Sequence, residues 1–358
     1  MNHTLGTTAH LPAGQPAGQP VGQVAPGDDS LPAGWTTRPP EITDLPRLLE
    51  LRGADKLQPT GSDRVDPNSL ESEIAGLASW TRQQLVALDA DGVIRAWATV
   101  HDRAAGRTMV HLYVDRSIPF AGEVAACLYA WMEGRARAIA RMRGLRQTQL
   151  DASPFAEDTV QRGWLTDAGY AKMRTWLQMT RPVAADEAES LPGPREGVVV
   201  RTVDTHANGV PVAADLQMVH RMLEESFADH FNSYRESFPE FVTRLREDPG
   251  HRWDHWWLAY VDDKPAGALV ASVLPANDGG TEGSYVEYIG VNRQARGRGV
   301  AKAMLHSVIG DAAARGRDRV GLEVDADSPT GADQLYVSMG WRTDYVTESW
   351  HKDITVPD

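Results

Sequence analysis

A chain of 358 residues is long enough for two domains of ordinary size, each burying its own core. Its formal net charge of −13 argues against a nucleic-acid surface, because neutralising phosphates takes a basic face. The single cysteine, Cys127, excludes an internal disulfide and a multi-thiolate metal site.

Residues 1–34 are rich in Pro, Gly, Ala and Gln and carry a Pro-Ala-Gly-Gln repeat, with too few large apolar groups to offset the entropy of ordering. A disordered tail is predicted there. The segment lacks a basic stretch followed by an apolar core, and no run of about 18 apolar residues occurs in the chain, so neither a secretory signal nor a membrane span is expected. With one cysteine, read as a buried thiol in the helical run Ala125-Ala126-Cys127-Leu128, this points to the reducing cytoplasm. Only Lys56, Lys172, Lys264, Lys302 and Lys352 are lysines among 36 basic residues, a bias associated with GC-rich bacterial genes.

The first structured half is predicted over residues 35–182. Strands at 85–88 and 93–100 flank the turn Asp89-Ala90-Asp91-Gly92; a strand at 109–114, a helix at 122–142, a strand at 145–150, a short helix near 160–168 and a strand at 170–180 follow. Residues 183–197 hold a Pro- and acid-rich linker. The second half, 198–358, repeats the order: strands at 256–261 and 266–273 around Asp262-Asp263-Lys264-Pro265, a strand at 285–291, a helix at 300–315, a strand at 320–324, a helix at 331–339 and a closing hairpin. Gly169 lies 55 residues past Val114 and Gly340 lies 49 past Val291, so one loop insertion reconciles the copies. Strands alternating with helices imply an α/β fold in which each half is a mixed, largely antiparallel sheet flanked by helices.

The copies differ between the third strand and the long helix. The second half reads Asn292-Arg293-Gln294-Ala295-Arg296-Gly297-Arg298-Gly299-Val300-Ala301, a basic turn in which glycines let the backbone approach a ligand while the first helix amides, unpaired by any carbonyl, point into it. That suits a phosphate or pyrophosphate. The first half has Asp115-Arg116-Ser117-Ile118-Pro119-Phe120-Ala121-Gly122 instead, without a Gly-x-Gly, and is read as a degenerate, non-catalytic copy.

Arg296, Gly299 and Ala301 fit the Arg/Gln-x-x-Gly-x-Gly/Ala signature of the GNAT superfamily of acyl-CoA-dependent N-acetyltransferases. Upstream, Tyr285-Val286-Glu287-Tyr288-Ile289-Gly290-Val291 resembles that family's fourth strand; downstream, Ala332-Asp333-Gln334-Leu335-Tyr336-Val337-Ser338-Met339-Gly340-Trp341 resembles its Ala-x-x-Leu-Tyr-x-x-x-Gly-aromatic segment. The tandem layout is similar to that of mycothiol synthases and of acetyltransferases of actinobacterial specialised metabolism. The resemblance implies two tandem GNAT-like domains and acetyl-CoA as cosubstrate. It implies a gap between the fourth and fifth strands, where Ile289, Gly290 and Val291 meet the pantetheine arm, while Arg296, Gly297, Arg298, Gly299, Val300 and Ala301 hold the diphosphate. Glu287, a carboxylate in an apolar and aromatic strand, stands where the family has a general base, and Tyr336 where it has a general acid. Many members carry an asparagine just upstream of the short helix; Ser328 stands there in its place.

Asp229, His230 and Tyr234 fall where the family builds its acceptor pocket, although aromatic residues at helical spacing also serve as core. Asp325 and Asp327 are read as exposed loop carboxylates, with attraction of a cationic amine as the alternative. His251 and His255, four apart, have no third ligand in view, and no metal is expected. The expected activity is acetyl transfer from acetyl-CoA to the primary amine of a small molecule by direct attack in a ternary complex. An acyl-CoA-binding sensor or scaffold and a protein lysine or N-terminal acetyltransferase remain alternatives. No nucleic-acid or membrane partner is expected.

Overall fold

In the computed structural model, which describes residues 31–103, 106–228, 236–277, 279–328 and 331–356, the same ten elements occur twice in the same order. The first series is β1 (Thr36–Arg38), α1 (Leu45–Thr60), α2 (Pro67–Ile74), β2 (Arg82–Leu88), β3 (Ile94–Asp102), β4 (Arg107–Val114), α3 (Ala121–Met142), β5 (Gln147–Ala152), α4 (Thr159–Asp167) and β6 (Ala171–Pro182). A single helical turn, α5 (Glu187–Ser190), intervenes. The second series is β7 (Val198–Thr202), α6 (Ala213–Phe227), α7 (Phe238–Leu245), β8 (His251–Val261), β9 (Lys264–Leu274), β10 (Gly283–Val291), α8 (Val300–Ala314), β11 (Arg319–Asp325), α9 (Ala332–Ser338) and β12 (Arg342–Thr355). Most of the predicted tail lies outside the described residues; Leu31, near its end, is buried in the first half's core.

Local chemistry sets several of these boundaries. Asp66 caps α2 by accepting from the amides of Asn68 and Ser69, with Pro67 in the first turn, where a missing N–H costs nothing. Asp158 likewise caps α4 through the Gln161 amide at 3.0 Å. Ser237 and Glu240 form a reciprocal capping box on α7.

The twelve strands of the described residues join one sheet in the order β1-β2-β3-β4-β5-β12-β6-β11-β10-β9-β8-β7. Pairing is antiparallel except for β4 with β5 and β10 with β11. The predicted closing hairpin is instead one fourteen-residue strand, β12. No Gly or Pro breaks this segment, and register shifts near Asp344 and Trp350 bend the strand without ending it. Each half thus ends in a strand that pairs beyond it: β12 lies against β5, and β6 lies against β11. Trp350 and Ile354 of β12 are buried in the first half's core, and Met179 of β6 in the second's. Each such side chain contributes about 1.5–3 kcal/mol, so separating the halves would expose apolar surface in both.

Helices cover both faces of each half. In the second, α8 packs Met304, Leu305, Val308 and Ile309 on one face, and α6 and α7 pack Val219, Leu223 and Phe241 on the other. The residues of the predicted linker dock as well: Leu191 packs on the α8 core, and the His306 ring lies 3.1 Å from the Pro192 carbonyl.

A buried ion cluster clamps the halves at Glu247, between α7 and β8. Its carboxylate accepts from Thr81 Oγ1 and an Arg82 guanidinium nitrogen, each at 2.7 Å, and lies 3.2 Å from His101 Nε2. Its carbonyl accepts from Ser72 Oγ at 3.1 Å. Burial alone would raise the Glu247 pKa, but the His101, Arg82 and Thr81 partners outweigh it and hold the group down at about 2. The stability it confers is therefore present above its unfolded value near 4.5 and is lost as pH falls toward 2. Glu247→Gln should cost about 3 kcal/mol in urea unfolding at neutral pH, with the deficit shrinking as the two proteins are compared at progressively lower pH.

Candidate active site

The two strands that should bound the cofactor gap stop pairing early. β10 and β11 are in register only over Ser284–Val320, Tyr285–Gly321 and Val286–Leu322; beyond these, β10 continues with β9 alone and β11 with β6. A cavity of about 680 Å³ opens in the splay. Along β10 it reaches Val286 through Val291, and across the gap it reaches Leu322 through Asp325.

Glu287 sits at the start of this splay, in a β-bulge. Val286 pairs with Ala271 and Tyr288 with the adjacent Val270, so Glu287 is the extra residue. It lines the cavity and is half-buried. Ser272 Oγ donates to its Oε1 at 2.7 Å. Burial lifts its pKa to about 7: the low-polarity surroundings dominate, Asp248 and Glu323 add repulsion, and Ser272 and Arg244 only partly oppose them.

Tyr336, on α9, lines the same cavity while its ring packs edge-on to Trp341, with centroids 5.9 Å apart. Burial raises its pKa to about 12, so the phenol keeps its proton at neutral pH. Its hydroxyl has no hydrogen-bond partner among the described residues.

The basic turn is built as its glycines require. Asn292 Oδ1 accepts from the Gln294 amide at 3.1 Å, and its side-chain amide donates to Glu225 of α6 at 2.7 Å. Gly297 and Gly299 take φ of 77° and 87°, the left-handed region, and Gly299 is the N-cap of α8. The Ala303 amide bonds the Gly299 carbonyl at 3.0 Å, so the amides of Val300, Ala301 and Lys302 have no carbonyl of their own helix within reach. Arg296 and Ala301 line the cavity; Arg298 is exposed and pairs with Asp262 at 3.3 Å. Ile289, Gly290, Val291 and Ser328 also line it. Gly290 has no room for a Cβ, which would lie 2.8 Å from Ser226 Cβ on α6.

Asp229, His230 and Tyr234 lie outside the described residues. Asp325 is buried, lines the cavity and accepts the Asp327 amide at 2.9 Å; it is no exposed loop carboxylate. His251 and His255 are on strand β8, not on a helix. Burial depresses both rings, and His255 lies between Asp254 (2.7 Å) and Arg317 (2.6 Å). Among the described residues no three His, Cys, Asp or Glu side chains cluster as metal ligands, and no helix is long and apolar enough to cross a membrane.

Several cavity residues carry no sequence signal. Arg103 and Arg107 come from the first half, Arg174 and Trp176 from β6, and Ser349 and His351 from β12, brought in by the strand exchange. Ser272 was equally silent. Arg195, from the predicted linker, rests against the basic turn, its Cδ only 2.9 Å from where a Gly299 Cβ would stand.

The corresponding place in the first half is filled. β4 and β5 also part after three residue pairs. There Gln161 of α4 donates to the carbonyl of Leu112, which stands two residues before Val114 as Ile289 stands two before Val291. Arg116, in the turn, pairs with Asp158 and, at 3.0 Å, with Asp55.

Residues 218–341 match the acetyltransferase (GNAT) family. The chain is 27% identical over 322 residues to the mycothiol acetyltransferase of Geodermatophilus obscurus, an alignment covering 84% of this chain and 97% of that protein. Its fold matches the GCN5-related N-acetyltransferase of Sphaerobacter thermophilus with a TM-score of 0.70 at 23% identity, covering 91% of this chain and 97% of that one. A tandem GNAT protein from the clavulanic acid biosynthesis pathway matches at 0.60 and 14% identity, covering 90% and 100%. The fold is a tandem of two GNAT-like units, each with a mixed, largely antiparallel sheet.

Gly299→Ala should destabilise the chain by about 1–2 kcal/mol, since an L-side chain is forced into a left-handed φ. Chemical denaturation of the two proteins measures this.

Proposed function

We propose that this chain, whose residues 218–341 form a GNAT acetyltransferase domain, moves the acetyl group of acetyl-CoA to the primary amine of a small molecule by direct attack in a ternary complex. The observation that carries the reading is a half-buried carboxylate, Glu287, brought to a pKa of about 7 in the same cavity as the Tyr336 phenol and the edge of a glycine-built basic turn. In this reading the amides and cations around Arg296, Gly297, Arg298, Gly299, Val300 and Ala301 hold the diphosphate, and Ile289, Gly290 and Val291 align the pantetheine arm. Ser328 adds a hydroxyl to the lining of the same cavity.

Glu287 takes the ammonium proton, and the amine nitrogen attacks the thioester carbonyl. Strand amides stabilise the oxygen as charge develops. Tyr336 gives its proton to the leaving thiolate and regains one from the N–H that the nitrogen loses as the amide forms. A base with a pKa near 7 is half-ionised at physiological pH and still basic enough to accept a proton. The domains divide at 182 and 198, with the first as a non-catalytic unit whose gap Gln161 plugs and whose edge walls the acceptor side. Asp229, His230 and Tyr234 belong to the acceptor region in this reading. The one cysteine, buried on α3, suits the cytoplasm of a bacterium.

Calorimetric titration should show acetyl-CoA binding to the wild type and none to Gly299→Glu, whose carboxylate repels the diphosphate; wild-type affinity in that variant would overturn the cradle assignment. A screen of amines, aminoglycosides and cysteinyl sugars, read by thiol release, identifies the acceptor. With it, kcat/KM should rise with pH through about 7 as Glu287 deprotonates. Glu287→Gln should lower kcat roughly 100-fold or more and leave acetyl-CoA affinity near wild type.

A further inference from the structure

We propose that Ser272 is a positioning residue for Glu287: its hydroxyl ties one carboxylate oxygen, Oε1, to β9 and leaves Oε2 as the oxygen that takes a proton from the acceptor ammonium. The inference rests on Glu287 being the base.

Ser272 stands in register with Tyr285 of β10 and His251 of β8, and is 4% exposed. Its hydroxyl donates to Glu287 Oε1 at 2.7 Å, within the short range of a hydroxyl bonded to a charged oxygen. Among the described residues no other hydrogen bond reaches the Glu287 carboxyl group. That one bond therefore carries its orientation.

Glu287 depends on such a hold because of where it stands. Val286 pairs with Ala271 and Tyr288 with Val270, so the ladder puts no residue of β9 opposite Glu287. The terminal torsion of a glutamate is broad, and in a cavity of about 680 Å³ an untied carboxyl group is free to face several ways. Ser272 belongs to the stretch of β9 that is still in regular register with β10, just before the bulge. A short, buried side chain on a paired strand loses little freedom on bonding, so the ladder's geometry passes to the longer side chain that the bulge leaves loose.

The bond also sorts the two oxygens. An oxygen that already accepts a hydrogen bond is the less basic of the pair, so the incoming proton goes to Oε2. The ammonium N–H bond breaks, its electron pair stays on nitrogen as the attacking lone pair, and an O–H bond forms at Oε2. Oε1 is then the carbonyl oxygen of a neutral acid and still accepts from Ser272, whose own hydrogen never leaves Oγ. One contact thus holds the base before and after the transfer, more strongly while the carboxylate is charged. Among the described residues, Arg244 of α7 favours the carboxylate, while Glu323 of β11 and Asp248 of the turn before β8 oppose it. The Tyr285 phenol, which burial keeps protonated, adds no charge, and His220 and Glu224 of α6 line the same cavity.

Ser272→Ala, assayed with the amine that the screen identifies, tests both halves of the inference. Loss of the donor favours the neutral acid, so the inflection in kcat/KM should move up from about 7 by roughly half a pH unit or more. At about pH 9, where Glu287 is ionised in both proteins, kcat should still fall roughly fivefold to tenfold at wild-type KM for acetyl-CoA, because a charged but untied carboxylate is aimed less often. Ser272→Thr keeps the hydroxyl and should recover both. A serine that served only the packing of β9 would change neither the inflection nor the plateau. Carboxyl carbon-13 NMR of the full chain, labelled at Glu side chains with Glu287→Gln identifying the resonance, reads the same midpoint without an acceptor. A wild-type midpoint in Ser272→Ala overturns the inference, and so does a moved midpoint with wild-type kcat at the plateau. A Ser272→Thr protein that binds acetyl-CoA as the wild type does and yet behaves as Ser272→Ala overturns it too; if Ser272→Thr does not fold, Ser272→Ala alone decides. Glu287→Gln at the wild-type rate would strike the general-base reading itself, whereas a slow Glu287→Gln beside an unaffected Ser272→Ala strikes this inference alone.

Discussion

The site depends on a sheet that stops being a sheet. Over three residue pairs β10 and β11 share a parallel ladder; beyond that each turns to its outer neighbour, and the backbone edges between them are left for something other than a strand. An unpaired edge of buried backbone is costly unless a ligand, water or side chain satisfies it. The bulge at Glu287 lies where the strands part, so one irregularity both aims a carboxylate into the opening and accompanies the loss of pairing. Burial in that opening supplies the shift that keeps the carboxyl near neutrality.

The duplication makes the point sharper, because the same topology has two outcomes in one chain. β4 and β5 part after three pairs as β10 and β11 do, yet Gln161 satisfies the Leu112 carbonyl and Arg116 fills the turn through Asp55 and Asp158. Internal side chains there take the place a ligand would need. In the second half the turn keeps two left-handed glycines and surrounds them with Arg195, Arg296 and Arg298, of which Arg298 pairs with the exposed Asp262.

Much of this was legible in the sequence. The basic turn, the β10 motif and the α9 motif are local: each is a short string whose backbone geometry is fixed by its own residues, and their order along the chain is the order of the elements. The strand exchange was not legible. The segment after α9 read as a closing hairpin because two short strands and one long bulged strand have the same apolar alternation, and only pairing partners tell them apart. Ser272 was silent for a related reason, since a serine in a buried strand gains meaning only from the carboxylate placed opposite it by register. Asp325 was misjudged as exposed because the splay, not its sequence neighbours, determines its burial.

The exchange also decides what kind of wall the cavity presents away from the basic turn. Arg107 pairs with the buried Asp151 at 2.6 Å, Arg174 faces Asp325 at 3.8 Å, and Arg244 grips Glu236 through two nitrogens. The cations that line the cavity from β4, β6 and α7 therefore come with acids close by, and the wall is polar without carrying a large net charge on that side. Such a surface can hydrogen-bond a polar molecule in several orientations but selects weakly for its overall charge, which leaves shape and hydrogen-bond pattern as the discriminating properties. Because β6 and β12 each belong by sequence to one half and by pairing to the other, altering either half would reshape this wall. A first unit with its own gap plugged is thus still bound into the geometry of the second, and the pressure to keep it folded comes from the shared sheet.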